Sequence, residues 1–290
     1  MPLLRQYLQQ QADRGQTHVL LNAEARKKLQ ELAKDKGGAV IEPAPMNRPS
    51  APIVPMPDRI GSDTPPMRVL ETEPAVEVSG GTREEKLAHL AQKAEDHQPA
   101  RALGTLRGVM VFAMGNPEAD VMFIGEAPGA EEERQREPFV GPAGQLLTKI
   151  ITAMGLKRTE VYISNICKFR PAIEKQGSAN RKPTPEEMRT CLPFILAEID
   201  IVQPKVIVAL GGTAAEGLGI NGPVTRNRGR LHSIKDIPVV VTYHPSYLLR
   251  QEQEGRGIEA KRQSWEDMLL AMGTAGLPIT EKQRGFFKGR

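Results

Sequence analysis

Four apolar runs in this chain end in residues able to do chemistry. VMFI (121–124) runs into Gly125-Glu126, VYIS (161–164) into Asn165, VIVAL (206–210) into Gly211-Gly212, and VVVTY (239–243) into His244-Pro245. Together they supply a carboxylate that can place a water, an amide that can read a polar edge, a glycine turn and an imidazole that can face a developing charge. In an open parallel sheet, ligands bind outside the carboxyl ends of the strands, so the four ends are expected to converge on one cleft. Each residue also has an ordinary reading. Glu126 fits a helix cap, Phe139 a core side chain, Asn165 a turn former and His244 a structural histidine.

The runs that must position these groups are apolar throughout and alternate with helical segments. The segments are 143–154, 185–202, a short one from Thr213, and 258–272, which predicts an α/β fold: a three-layer α/β/α arrangement with a central four-stranded parallel sheet. Thr82 and Glu85 form a capping box ahead of a helix that ends before Pro99. Residues 100–107 read as loop and GVMVFAMG (108–115) as one edge strand. Gly211-Gly212-Thr213 is half a dinucleotide fingerprint, without the third glycine or the downstream acid. It reads instead as a turn where backbone amides approach a phosphate, with Arg226 to Arg230 as a basic phosphate-facing loop.

The 290 residues carry a net charge of +4 with a pI near 9.0, which permits a nucleic-acid partner without demanding one. Two cysteines, Cys167 and Cys191, cannot make a disulfide framework or a closed four-cysteine metal site. No apolar run approaches the ~20 residues of a membrane helix and no signal-type segment opens the chain, so a soluble, cytoplasmic protein is expected. Residues 1–40 read as a helical extension with a thin apolar stripe, either a helix pair suited to a protein partner or a marginal, partly disordered segment. Residues 41–80 read as a disordered linker, because nine of the chain's 24 prolines fall between Pro43 and Pro74 and aromatics are absent between Tyr7 and Phe112. A basic tail is set apart at 281–290.

The segments GEAPGAEEERQREPFVGPAGQLL, ISNICKFRP, PKVIVALGGTAA and THPSYLLR in altered form (Thr242 to Arg250) resemble the uracil-DNA glycosylase superfamily, nearest its family 4 branch. The likeness covers about residues 100–275 and sets 81–280 as the domain. It implies a bacterial, nucleoid-associated, monomeric base-excision repair enzyme that flips uracil out of single- or double-stranded DNA and hydrolyses the N-glycosidic bond. Glu126 would activate the water and His244 would face the base oxygen. Phe139 would stack on uracil, Asn165 would read its edge, and Glu132, Gly125 and Ala127 would line the pocket. Gly211, Gly212, Arg228, Arg230, Pro245, Ser246, Tyr247, Leu248 and Arg250 would contact DNA.

Such chemistry suits these residue types. The sugar becomes oxocarbenium-like while the base leaves as an anion, so a donor is needed beside the base and a water beside the sugar. Asparagine accepts from uracil N3–H and donates to O4, whereas cytosine reverses both and leaves buried groups unpaired. The alternatives are a glycosylase for hypoxanthine or xanthine and a non-catalytic DNA-binding member of the fold.

The chain departs from the family 4 pattern in its cysteines. Relatives carry four on an iron–sulfur cluster; here 94–111 has none, Phe169 stands in the KCRP position, and only Cys191 falls at a ligand position. Cys167 is expected to point elsewhere, so no cluster and no metal are expected. Leu103, Leu106, Val109 and Phe112 are the candidates for packing in its stead. The branch that traps DNA covalently uses a histidine in the loop after Asn165, and this chain has none between His97 and His232. That loop is long, and its Lys175, Arg181 and Lys182 are expected to be free for the DNA backbone.

Overall fold

Apolar strands that are buried on both faces need a helical layer on each side, and the chain supplies both. The computed structural model describes residues 75–287. The expected extension at 1–40 and most of the linker lie outside the described residues. In chain order the first elements are α1 (Arg83–Glu95), α2 (Gln98–Ala102), β1 (Leu106–Met110), β2 (Ala113–Gly115), β3 (Val121–Gly125), α3 (Ala130–Gln135) and α4 (Pro142–Ala153). There follow β4 (Tyr162–Asn165), β5 (Phe169–Pro171), α5 (Pro185–Val202), β6 (Val206–Leu210), α6 (Gly212–Gly217) and α7 (Val224–Asn227). The chain closes with β7 (Leu231–Ile234), β8 (Ile237–Thr242), α8 (Pro245–Gln253), α9 (Gly257–Thr274) and α10 (Glu281–Gly285).

The main sheet has the order β2-β4-β3-β6-β8-β7. Its four central strands, β4, β3, β6 and β8, are parallel, as expected. Antiparallel edges make it six strands wide: β2 pairs with β4 and β7 with β8. The β7–β8 hairpin escaped the sequence because its turn is Lys235-Asp236, both left-handed, rather than Asn-Gly. The stretch read as one edge strand breaks at Val111-Phe112: β1 pairs with β5 in a separate two-stranded sheet and β2 joins the main one. Residues 100–102, read as the start of a loop, belong to a short helix over Gln98–Ala102 with a proline in its first turn.

Alternate residues of the central strands feed two cores. Met122, Ile124, Ile207, Ala209, Val239 and Val241 face α1 and α5. Val121, Phe123, Ile163, Val208 and Val240 face α4 and α9. Each such Leu- or Ile-sized side chain contributes roughly 1.5–3 kcal/mol on burial. Val76 and Val78 already pack on the first core, ahead of the expected boundary at 81. At the other end, residues 281–285, set apart as the start of a basic tail, form a helix capped by Thr280. The helix is tied to the domain: Trp265 Nε1 donates to Gln283 O at 2.8 Å, and Gln283 Nε2 to Ala153 O at 2.9 Å.

Register puts the chemistry together. Gly125 pairs with Asn165 across β3 and β4, and Leu210 pairs with Thr242 across β6 and β8. The four strand ends therefore open at one edge of the sheet.

Candidate active site

Gly125 has no side chain because two others occupy its space. A Cβ there would lie 2.4 Å from Asn165 Oδ1 and 2.4 Å from Phe139 Cζ. Asn165 is 1% exposed, and its Oδ1 accepts no hydrogen bond from the described residues. A buried acceptor without a partner costs about 1–3 kcal/mol, so this oxygen can take a hydrogen bond from an incoming donor.

Phe139 is held in place by its loop. Its φ of 56° is left-handed, an uncommon conformation for a bulky residue. Glu132 does the holding. Its Oε1 accepts from Val140 N at 3.0 Å and Gly141 N at 2.9 Å, and its Oε2 accepts from Gly129 N at 3.1 Å. Glu132 is therefore a clamp joining the start of α3 to the start of α4, where the sequence had placed a pocket-lining carboxylate. Gly144 lets the helix close on this loop, since a Cβ there would meet Phe139 O at 1.8 Å. Arg158 donates to Thr148 Oγ and to the Pro138 carbonyl.

The Phe139 and His244 rings lie 5.8 Å apart, inclined at 34°. His244 caps α8, and its Nδ1 accepts from Ser246 N at 3.1 Å and lies 2.7 Å from Ser246 Oγ. An Nδ1 that accepts a backbone N–H leaves the proton of the neutral ring on Nε2. Burial of the ring, with Arg250 nearby, lowers the His244 pKa to about 4. The site thus holds a neutral imidazole with one N–H to give. Gly211, with φ 94°, comes close behind it, and a Cβ there would sit 3.0 Å from His244 Cβ.

Glu126 is pushed above the usual carboxylate range by burial, against a hydrogen bond from Thr213 and the charge of Lys182. Thr213 was missed as a partner of Glu126. It follows the glycine turn by one residue, and the signal was present in GGT. Lys182 is paired with Glu216 at 2.6 Å. Ala127 is partly buried and packs against the core that includes α5.

The residues expected on DNA divide into two groups. Arg226, Arg230 and Arg250 are exposed, and Ser246 and Tyr247 are partly so. Arg228 is not free for phosphate: it pairs with buried Asp267 and donates to the Gln263 carbonyl. Arg181 is likewise spent on Glu187 and on the carbonyls of Thr105 and Ala172. Pro245 and Leu248 are buried, because the segment after His244 is a helix packed on α9 and α4 rather than an open loop.

The thiols do not diverge as expected. Cys167 and Cys191 are both buried and hydrogen-bonded to each other, which raises the Cys167 pKa well above its ordinary value. Two thiols cannot supply the four ligands of an iron–sulfur cluster, so the residues present do not fit one. Both thiols belong to the first core, with Ala94, Ala100, Phe169 and Leu192. Leu106 and Phe112 join that core, whereas Leu103 and Val109 do not.

Residues 112–269 match the family model of the Uracil DNA glycosylase superfamily. A type-4 uracil-DNA glycosylase of Thermotoga maritima is 40% identical over 190 residues, 64% of this chain and 93% of that one. The type-4 enzyme of Archaeoglobus fulgidus is 37% identical over 153 residues, covering 49% of this chain and 73% of the relative. A type-5 uracil-DNA glycosylase of Thermus thermophilus is 32% identical over 118 residues, 37% of this chain and 53% of its own length. The family match over more than half of the chain and the 40% identity to a relative covered almost in full show that the chain belongs to the uracil DNA glycosylase superfamily.

Proposed function

We propose that this chain excises uracil from DNA by hydrolysing its N-glycosidic bond, as a monofunctional glycosylase of base-excision repair. One observation carries the reading to uracil: the buried Oδ1 of Asn165, left without a partner beside Gly125 and Phe139. Uracil N3–H would satisfy it. Cytosine offers an acceptor at N3 and would leave two acceptors facing each other, a penalty that supports discrimination of about 10⁴-fold.

The rest of the cluster then has a role. Phe139 stacks on the flipped base, worth roughly 1–3 kcal/mol. His244 gives its Nε2–H to the uracil oxygen that gains charge as the C1′–N1 bond breaks. A neutral donor suits an anion that departs with the bonding electron pair, since a positively charged ring is disfavoured at the start of α8. Glu126 orients the water whose oxygen bonds to C1′ and takes up its proton. Gly211, Gly212, Arg230, Ser246, Tyr247 and Arg250 take the flanking DNA backbone in this reading, which the exposure of Arg230 and Arg250 supports. Leu248, with Pro245, fixes α8 from beneath. No helix among the described residues is long and apolar enough to cross a membrane. The reading places the protein on bacterial DNA in the cytoplasm, as a monomer, with residues 1–40 available to a protein partner.

The test uses purified full-length protein and labelled single- and double-stranded oligonucleotides holding uracil, cytosine, thymine, hypoxanthine or xanthine, followed by alkali. Scission at uracil alone is expected, lost in Asn165→Ala and His244→Ala with DNA binding kept. Scission at hypoxanthine or xanthine but not uracil would reassign the base. DNA binding with no scission on any substrate would overturn the enzyme reading.

A further inference from the structure

Behind the base-reading end of β4 lies a charge pair with no access to water. The side chains of Lys168 and Glu198 are both 0% exposed and in contact. Lys168 Nζ donates to Ser164 Oγ at 2.6 Å and to the main-chain oxygen of Asn165 at 2.9 Å. It also stands 5.4 Å from the centre of the Phe112 ring. Glu198, on α5, accepts from Tyr162 Oη at 3.2 Å. Tyr162, Ser164 and Asn165, three of the four residues of β4, are thus tied to one buried pair.

Filling space does not explain this arrangement. A buried ion pair gains little stability over well-packed apolar side chains of the same volume, because both ions give up their hydration. The surroundings are apolar: Ile166, Phe169, Leu192 and Ile195 are all buried nearby in the same core. What the pair does that apolar residues cannot is hold a carbonyl. The Oδ1 of Asn165 accepts no hydrogen bond from the described residues, so the carboxamide is aimed by the packing of Gly125 and Phe139 against it and by the backbone that carries it.

We propose that Lys168 is a positioning residue for recognition of the base. By pinning the Asn165 carbonyl from inside the core, with Glu198 holding the ammonium, it aims the carboxamide on the other side of the strand. The proposal rests on the reading of Asn165 as the base-reading group.

Lys168→Met alone would leave Glu198 unpaired and unfold part of the domain. The useful variant is Lys168→Met/Glu198→Gln, which removes both charges and keeps an acceptor for Tyr162. It is expected to fold and to bind DNA with unchanged Kd. Its single-turnover excision rate should fall by about 10²-fold, the usual effect of a displaced reactive geometry, and its preference for uracil over cytosine should narrow. A folded double variant with parental rate and preference would overturn the proposal. Selective ¹⁵N-asparagine labelling supplies a second readout, with the Asn165 side-chain NH2 pair assigned from its absence in Asn165→Ser. Movement or broadening of that pair in the double variant supports the proposal, and an unmoved pair overturns it. This readout decides the matter even if the parent protein released no uracil, an outcome that would overturn the functional reading instead.

Discussion

At the scale of the residue, the protonation of His244 is set by what surrounds the ring. Nδ1 is occupied by the Ser246 N–H, and burial together with Arg250 keeps a second proton off, with the pKa lowered to about 4 from 6.5. Above pH 6.5 the folded and unfolded chains both carry a neutral His244, and the group contributes nothing to pH dependence. Between pH 6.5 and 4 the unfolded chain takes a proton that the folded chain refuses, so stability falls as pH falls, by up to about 3 kcal/mol. Urea unfolding of wild type and His244→Asn across pH 4–8 checks this: the variant should lose less stability on the acid side and match the wild-type trend above 6.5. A His244 ring proton that titrates by NMR near 6.5 would contradict the assignment. The imidazole itself was legible in the sequence from its place at a strand end. Its neutrality was not, because that depends first on burial of the ring, then on Arg250, six residues on, and neither is visible before the chain folds.

At the scale of the element, what the sequence disclosed best was the set of strands buried on both faces. VIVAL is β6 in full, and PEEMRTCLPFILAEIDIV is α5 in full, since a capping Thr184 and a long apolar face leave no other reading. What stayed hidden were elements whose signals are tertiary. The segment from Pro245 to Arg250 was read only as a DNA-contacting stretch with no element assigned to it, yet it lies in α8, nine residues held by Leu248 against the body of the protein. Glu132 was the other misreading. An acidic residue near a pocket looks like a pocket residue, and only the fold shows its two oxygens gathering three backbone N–H groups from either end of the loop that carries Phe139. The clamp can be tested directly. Glu132→Gln turns an NH2 toward at least one of those donors, which should cost about 1–3 kcal/mol in urea unfolding. Freed from its left-handed geometry, Phe139 should also misplace the base and slow single-turnover excision by about 10²-fold. Unchanged stability together with an unchanged rate would show that the loop holds itself.

At the scale of the whole molecule, the net charge of +4 says little about which cations are available to a polyanion. Arginines two positions apart in sequence belong to different systems. Arg170 is buried and organises the long loop after β5 through Asn180 Oδ1 at 2.9 Å, the Gly177 and Ala179 carbonyls, and Glu133. Arg228 neutralises Asp267, a fully buried carboxylate whose pKa is raised to about 6 by desolvation and which also binds Thr242 Oγ1 at 2.8 Å, just ahead of His244. Arg230, two residues further on, is exposed. From sequence the pair read as one basic loop; burial separates them. Removing Arg228 leaves a buried carboxylate uncompensated, so Arg228→Ala should cost about 3–5 kcal/mol of stability. Its effect on DNA affinity should be no larger than the fraction unfolded. Arg230→Ala should leave stability within about 0.5 kcal/mol, the usual range for a surface change. If Arg230 meets a phosphate, its loss weakens binding across all sequences and reduces the slope of log affinity against log salt by about 1. Thermal melts and salt titrations of the two variants separate the roles. A reduced salt slope in Arg228→Ala with unchanged stability would mean that the buried pair opens to DNA, and that the carboxylate beneath it is held by Thr242 and the Gly229 amide instead.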